Sequence, residues 1–441
     1  MAELRRHMGL FSTTMYGVGI ILGAGIYVLV GNAAATAGNA VWLSVLLGSA
    51  VSILSGLSYA ELSSMYPKAA AEYAFVKNAF RSNFLGTTIG WITIFVSIIA
   101  AATVALGFGG YLTEFVRIPV VISAALLIVG LSIVNFLGIR ESSTMNIIFT
   151  LVEVTGLIII IYLGFFSGNI QQTNYLEMPF GLQGVFTGFV LLFFAFIGFE
   201  DIVNISEETK NPRRTIPKAI VISILITGIL YVLVSLASIQ IISWNELGQS
   251  VAPLADVAGK VLGVNGMTLL SVIALFATTN TVLIILLSGS RMLYGLSSHG
   301  SLHNTFSKIH HKTKTPWVAI MTVMVASILF LMLGNVVTVA HITVFLLVIV
   351  YGMVNLSVIV LRVKEPNIER SFKVPFSIRN YPILSILGLA STLFMLTQFG
   401  LYEVLLGIIM IGIAILFFII SKNNADGVLP SNLHNVKDKV E

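Results

Sequence analysis

Three carboxylates stand in stretches otherwise free of charge: Glu153 in Thr150-Leu151-Val152-Glu153-Val154, and Glu200 with Asp201 after Phe193-Phe194-Ala195-Phe196-Ile197-Gly198-Phe199. At the middle of a bilayer an ionised side chain costs about 2.5–3.5 kcal/mol on insertion scales, so each requires a partner or a task. Desolvation favours the neutral form of a carboxyl, which suits Glu200 and Glu153 to taking up and releasing a proton. For Glu200 the competing reading is a structural hydrogen bond that holds the start of a half-helix. Asp201 shares that environment, and the sequence assigns it no role of its own.

The backbone offers a second chemistry. Tyr16-Gly17-Val18-Gly19-Ile20-Ile21-Leu22-Gly23-Ala24-Gly25-Ile26-Tyr27 places four glycines within nine residues, and each weakens a helix by about 1 kcal/mol relative to alanine. One reading is close helix packing through the Gly19/Gly23 small-xxx-small pair. The other is unwinding at Gly23-Ala24-Gly25, which turns a helix N-terminus and its N–H groups toward an anion such as a substrate carboxylate. A dinucleotide-binding glycine loop is dismissed, because no strand precedes the run and it lies in an apolar span. Five spans later, the glycine of Phe193–Asp201 lies at a similar distance from the start of its own span. Interrupted helices at matching positions in two halves are the signature of an inverted repeat.

These groups are positioned by apolar spans. Of 441 residues, 57% are hydrophobic and 10% charged, with a mean hydropathy of +0.97, against roughly 25% charged residues in soluble domains. Lipid must solvate most of such a chain. Stretches long enough to cross a bilayer fall at 11–34, 41–65, 85–112, 119–137, 145–167, 184–206, 217–242, 266–297, 317–335, 338–362, 382–400 and 402–421. With the N-terminus inside, 22 of the 24 lysines and arginines fall on the cytoplasmic side, leaving Arg117 and Lys260 outside. That asymmetry supports an even number of crossings and cytoplasmic termini. Cysteine is absent, so thiol catalysis, disulfides and thiolate metal sites are excluded. No metal-ligand cluster is visible, since five of the seven histidines (His299, His303, His310, His311, His434) sit in polar loops or the tail. Although the net charge is +5, the basic residues are scattered between spans and read as topology rather than as a nucleic-acid surface.

Four segments carry a family likeness. Gly17-x-Gly19-x-x-x-Gly23-Ala24-Gly25-Ile26-Tyr27 resembles the first-helix signature of the amino acid-polyamine-organocation (APC) superfamily. Phe194–Glu200, followed by Glu207-Glu208-x-Lys210-Asn211-Pro212-x-Arg214-x-x-Pro217-x-Ala219-Ile220, is similar to its sixth helix and following loop. Tyr59-Ala60-Glu61-Leu62 with Pro67 and Glu72-Tyr73 resembles its second helix and loop. Ser290–Leu296 with Gly300, Leu302 and Thr315-Pro316-Trp317-Val318-Ala319 resembles its eighth.

The resemblance implies an all-α integral membrane fold of twelve transmembrane helices, a LeuT-like 5+5 inverted repeat plus two appended helices. The corresponding segments are a cytoplasmic N-terminus at 1–10, repeats at 11–167 and 184–362, appended helices at 382–421 and a cytoplasmic tail at 422–441. It further implies that the Gly23, Ala24 and Gly25 backbone, with Ile26, holds a substrate carboxylate. Carbonyls around Phe194, Ala195, Phe196, Ile197 and Gly198 hold the ammonium group, and Phe194 closes over the substrate. The side-chain pocket draws on Ala101 with its neighbours Ala102 and Thr103, and on Asn280 with Thr278 and Thr279. Those eighth-helix groups have interhelical hydrogen bonding as their plainer reading. Glu200 resembles a proton-sensing position.

Two departures stand out. Glu153 occupies a fifth-helix position where several proton-driven relatives carry a lysine. A glutamate cannot supply a fixed positive charge, but when protonated it can donate to the first-helix break and when ionised it can accompany a cation. Lys68-Ala69-Ala70-Ala71-Glu72 lacks the glycine pair usual before Glu-Tyr, which stiffens that loop.

The function expected is proton-coupled amino acid symport or exchange across the plasma membrane by alternating access. No cofactor is called for, and the partners are an amino acid, protons or sodium, and lipid. Alternatives are sodium-coupled or uncoupled exchange, polyamines included, a non-transporting sensor, a channel, or an integral membrane enzyme. The last lacks any visible convergence of nucleophile, base or metal groups.

Overall fold

The computed structural model describes residues 8–67, 71–137, 143–167, 173–298 and 302–426. Expectations for Arg5, Arg6, Lys68-Ala69-Ala70, Arg140, His299, Gly300 and the tail from 427 lie outside the described residues. The chain begins with α1 (Leu10–Leu22), α2 (Ala24–Ala37), α3 (Val41–Met65), α4 (Ala71–Phe80), α5 (Asn83–Leu112), α6 (Val120–Leu137) and α7 (Ser143–Phe166). Then follow α8 (Gly181–Phe193), two 3-10 helices at Phe194–Phe196 and Phe199–Glu208, α9 (Pro212–Ile241), α10 (Trp244–Gln249), α11 (Pro253–Leu262) and α12 (Val264–Ser298). The chain continues with α13 (Trp317–Leu331), α14 (Val336–Lys364), α15 (Ile383–Leu396) and α16 (Leu401–Asp426).

Among the described residues, nine helical stretches are long and apolar enough to cross a membrane. The first, Leu10–Met65, contains α1, α2 and α3, and α13 and α15 are shorter apolar helices. The sequence reading gave no separate elements to α4, α10 and α11, which occupy loops. Nor did it include the two-residue strands Ser377–Ile378 and Tyr381–Pro382, paired antiparallel. α16 runs on to Asp426, past the boundary expected at 421.

Lipid contact and protein contact divide the helices. Leu126 and Ile133 on α6 and Leu401, Leu405 and Ile408 on α16 are more than half exposed or close to it, a pattern that needs an apolar solvent. By contrast α5 is buried along nearly its whole length, packed against α12 and α14. α3 meets α9 along a seam of small residues: a Cβ at Gly228 would stand 2.2 Å from the Ser49 Oγ, and one at Gly56 would stand 2.4 Å from the Ile224 Cδ1. Such contacts let helix backbones approach where no water drives them together.

One end of α3 is tied to one end of α14 by a buried charge cluster. Arg362 donates through Nε to Glu61 Oε1 at 2.8 Å and through Nη2 to Oε2 at 2.5 Å, and Val374 N donates to Oε2 at 2.8 Å. Arg370 Nε lies 3.2 Å from Glu61 Oε1, while its Nη groups cap the carbonyls of Leu361, Glu365, Pro366 and Ile368. Removing water from such charges is costly, and the dense hydrogen bonding offsets it.

Candidate functional site

The first membrane helix is broken at one residue. Gly23 adopts φ −31°, ψ −149°, so α1 ends at Leu22 and α2 starts afresh at Ala24. The N-terminal N–H groups of a helix have no partner within it; that of Ala24 donates to Thr281 Oγ1 on α12 at 3.3 Å. The lack of a side chain at Gly23 lets Thr281 come this close, since a Cβ there would stand 2.1 Å from the same hydroxyl.

The second break is longer. α8 stops at Phe193, a 3-10 turn covers Phe194–Phe196, Ile197 is extended (ψ 141°), and Gly198 takes φ 117°, which only glycine adopts readily. The chain resumes as 3-10 rather than α-helix over Phe199–Glu208.

The two breaks meet. A Cβ at Gly25 would lie 2.4 Å from Ala195 Cα, and one at Gly198 would lie 2.1 Å from Ile20 Cγ2. Tyr231 of α9 links them, its hydroxyl donating to Ile21 O at 2.5 Å and Ala195 O at 3.1 Å.

Between them lies a cavity of about 30 Å³ lined by Ile20, Ile21, Gly23, Ala24, Gly25, Ala100, Val104, Phe194, Ala195, Ile197, Gly198, Asp201, Thr281, Ile284 and Ile285. Seven residues expected at the substrate site line it: Gly23, Ala24, Gly25, Phe194, Ala195, Ile197 and Gly198. Four do not. Ile26 is fully buried in the core, and Phe196 turns away to pack edge-on against Tyr231 at 5.3 Å. On α5 the face toward the cavity carries Ala100 and Val104; Ala101 is rotated about 100° from Ala100. Asn280 is likewise one position from Thr281, and its Nδ2 points to Glu153 Oε1 at 3.5 Å.

The carboxylates have distinct settings. Glu200 Oε2 accepts from Gly198 N at 3.0 Å and from the Tyr351 hydroxyl of α14 at 2.7 Å, so it closes the second break onto α14. Asp201 faces the cavity and accepts from Ser288 Oγ at 3.0 Å. Glu153 is fully buried, with Oε2 lacking a hydrogen-bond partner. Its side chain meets Asn280 rather than the break at Gly23; the first helix reaches it one turn later, where the Tyr27 hydroxyl donates to the Glu153 carbonyl at 2.7 Å.

A model of the family described as amino acid permease matches residues 8–424, almost the entire chain. The chain belongs to this family. Its members are transporters, so the protein is a multi-pass membrane permease rather than an enzyme. The permease is 29% identical to the branched-chain amino acid permease BcaP of Bacillus subtilis, over 96% of this chain and 94% of that one. It is 30% identical to the methylthioribose transporter of the same organism, over 87% of each chain. To the mouse cationic amino acid transporter 4 it is also 30% identical, over 82% of this chain and 61% of the relative.

Sequence reasoning passed over several residues that shape the permease's cavity and singled out Asp201 without giving it a role. Thr281 and Asp201 supply its polar side chains, and Ile20, Ile21, Val104, Ile284 and Ile285 its apolar wall. Tyr231 and Tyr351 hold the breaks from α9 and α14. A threonine or tyrosine in an apolar helix carries no local mark of which way it faces.

Proposed function

We propose that the protein is a secondary active transporter that moves amino acids with apolar side chains by alternating access, coupled to protons as a symporter or exchanger. In this reading twelve crossings form a LeuT-like inverted repeat, 11–167 and 184–362, with 382–421 appended and both termini cytoplasmic at the plasma membrane. The observation that carries it is the meeting of two interrupted helices around one cavity at Gly25 and Ala195. The N-terminus of α2 suits a carboxylate, and the carbonyls of the second break, with Asp201, suit an ammonium group. The aliphatic wall suits a branched or linear apolar side chain, in keeping with the name of the branched-chain relative. A space of about 30 Å³ holds about one water, so substrate entry requires the lining to part, as rocking of one repeat against the other provides.

Counterflow in proteoliposomes against the twenty amino acids tests this, with aliphatic substrates expected to exchange best. Absence of exchange for every amino acid would remove the reading. With a proton gradient imposed, Glu200→Gln should abolish the pH dependence of uptake while leaving substrate binding measurable; unchanged pH dependence would take the coupling role from Glu200.

One observation favours a second coupling site. Glu153 Oε2 and Asn280 Oδ1 are both buried without a hydrogen-bond partner, and two such oxygens are answered by a proton on the carboxyl or by a small cation. Uptake that needs sodium at constant pH would select the cation.

A further inference from the structure

Between α14 and α15 the chain presents charge and apolar surface that substrate passage does not call for. α14 is apolar and long enough to cross the membrane and ends at Lys364, and the apolar helix α15 begins at Ile383. Residues 365–382 are therefore held at the edge of the bilayer. An open cavity of about 370 Å³ lies here, lined chiefly by Arg362, Arg370, Lys373, Ser377, Arg379 and Asn380, with no acid among its lining residues.

The four cations are of two kinds. Arg362 and Arg370 are buried and already engaged. Arg362 holds Glu61, the Val374 carbonyl and, through Nη1 at 2.7 Å, the Ser377 hydroxyl, while Arg370 caps backbone carbonyls. Glu61 sets one negative charge against these two guanidinium groups, so a positive field remains behind the cavity wall. Lys373 and Arg379 are exposed, and among the described residues neither has an ion-pair partner. Their donors are available. Glu365 is answered by Arg81 at 3.1 Å, which leaves Glu369 as the other acid of the loop.

The small hairpin adds an apolar face. Across it Ser377 pairs with Pro382 and Ile378 with Tyr381, and successive residues of a strand face opposite ways. Pro382 is buried and Ser377 meets Arg362, whereas Ile378 is 67% exposed and Tyr381 is also exposed. Phe376, just before the first strand, is 78% exposed. Phe376 and Arg379 both take positive φ, 56° and 54°, a region that bulky residues seldom enter.

We infer that this loop binds an anionic phospholipid of the adjoining leaflet, with the phosphate in the basic cavity and the chains against Phe376, Ile378 and Tyr381. Lys373 and Arg379 donate to the phosphate oxygens, within the field of Arg362 and Arg370. Aromatic rings favour headgroup depth, and basic clusters next to a membrane helix attract anionic lipid. A free phosphate has no need of the apolar face; a lipid uses both. The inference is independent of the substrate and of the coupling ion.

The test uses the full chain in neutral detergent, titrated with short-chain phosphatidylglycerol, short-chain phosphatidylcholine, glycerol 3-phosphate or inorganic phosphate. It reads melting temperature and, by native mass spectrometry, the lipid retained. Phosphatidylglycerol should be retained and raise the melting temperature, and phosphatidylcholine should do neither. The double variant Lys373→Gln/Arg379→Gln should weaken phosphatidylglycerol binding by roughly tenfold or more, as should Phe376→Ser/Ile378→Ser. Lys308→Gln/Lys312→Gln removes as much charge from exposed positions before α13 and should stay within about twofold of wild type. All six side chains are exposed, so melting without lipid should match wild type. An equal response to phosphatidylcholine, or equal losses in the two charge variants, would mean diffuse attraction and overturn the site. Inorganic phosphate or glycerol 3-phosphate acting as well as the lipid would make it a free-anion site and overturn the lipid. A dimeric wild type made monomeric by Phe376→Ser/Ile378→Ser would give the apolar face to a second copy, also overturning it.

Discussion

Glu72→Gln has a consequence for stability that can be worked from the fold and measured without transport. Burial raises the carboxyl from 4.5 to about 7; the hydrogen bond to its own backbone opposes this, Asp201 adds to it, and the Tyr59 hydroxyl opposes it again. The folded chain therefore keeps this proton over a pH range where the unfolded chain has lost it. Stability then falls as pH rises from about 4.5 to about 7 and is level beyond, a total of about 3 kcal/mol as an upper bound. Glutamine has no such slope. Its amide nitrogen, placed where Oε2 has no partner, costs about 1–3 kcal/mol at every pH, so the slope is diagnostic and the absolute level is not. Thermal melts of purified wild type and variant in detergent across pH 4.5 to 8 should show the variant gaining on wild type as pH rises. Parallel curves, or a variant that loses ground toward pH 8, would refute the assignment of a buried, proton-holding Glu72.

Three further perturbations probe other parts of the molecule. Gly25→Ala places a methyl 2.4 Å from Ala195 Cα, and overpacking of this kind costs about 1–3 kcal/mol. It should part the two breaks and abolish equilibrium substrate binding; wild-type affinity would show that the site lies elsewhere. Arg362→Ala leaves the buried Glu61 carboxylate with only Arg370 and the Val374 N–H beside it, and a loss of about 3–5 kcal/mol should appear as a large fall in melting temperature. A change under 1 kcal/mol would mean that the cluster is not held together as described. Thr281→Val keeps the shape but removes the acceptor for Ala24 N, and losing a helix cap costs about 1 kcal/mol. Substrate affinity should change with it, and an unaltered dissociation constant would detach Thr281 from the site.

What sequence could show follows from how far each signal reaches. Apolar spans are local and continuous, so α5, α9, α12 and α14 stand out from hydropathy, whereas the glycines at 23 and 198 flag breaks that residue type leaves open to close packing and that the family likeness favours. Facing was harder. Ala100 with Val104, rather than Ala101, and Thr281, rather than Asn280, line the cavity, because one residue along a helix turns a side chain by about 100°, and uniformly apolar helices give no polar stripe to set the angle. Contacts across hundreds of residues left no trace: Glu61 with Arg362, Tyr351 with Glu200 and Tyr231 with Ile21 exist only once the helices are packed. The basic residues near the end of α14 were legible as topology, yet the burial of Arg362 and Arg370 was not.

Tyr231 leaves an imbalance at the centre of the molecule. A phenol brings a single hydrogen, and here two carbonyls, one from each interrupted helix, compete for it. Whichever loses the contest is left hungry for a positive group. The meeting point of the two breaks thus holds an acceptor in reserve, and any guest that satisfies it tilts the contest and makes itself felt on both interrupted helices at once.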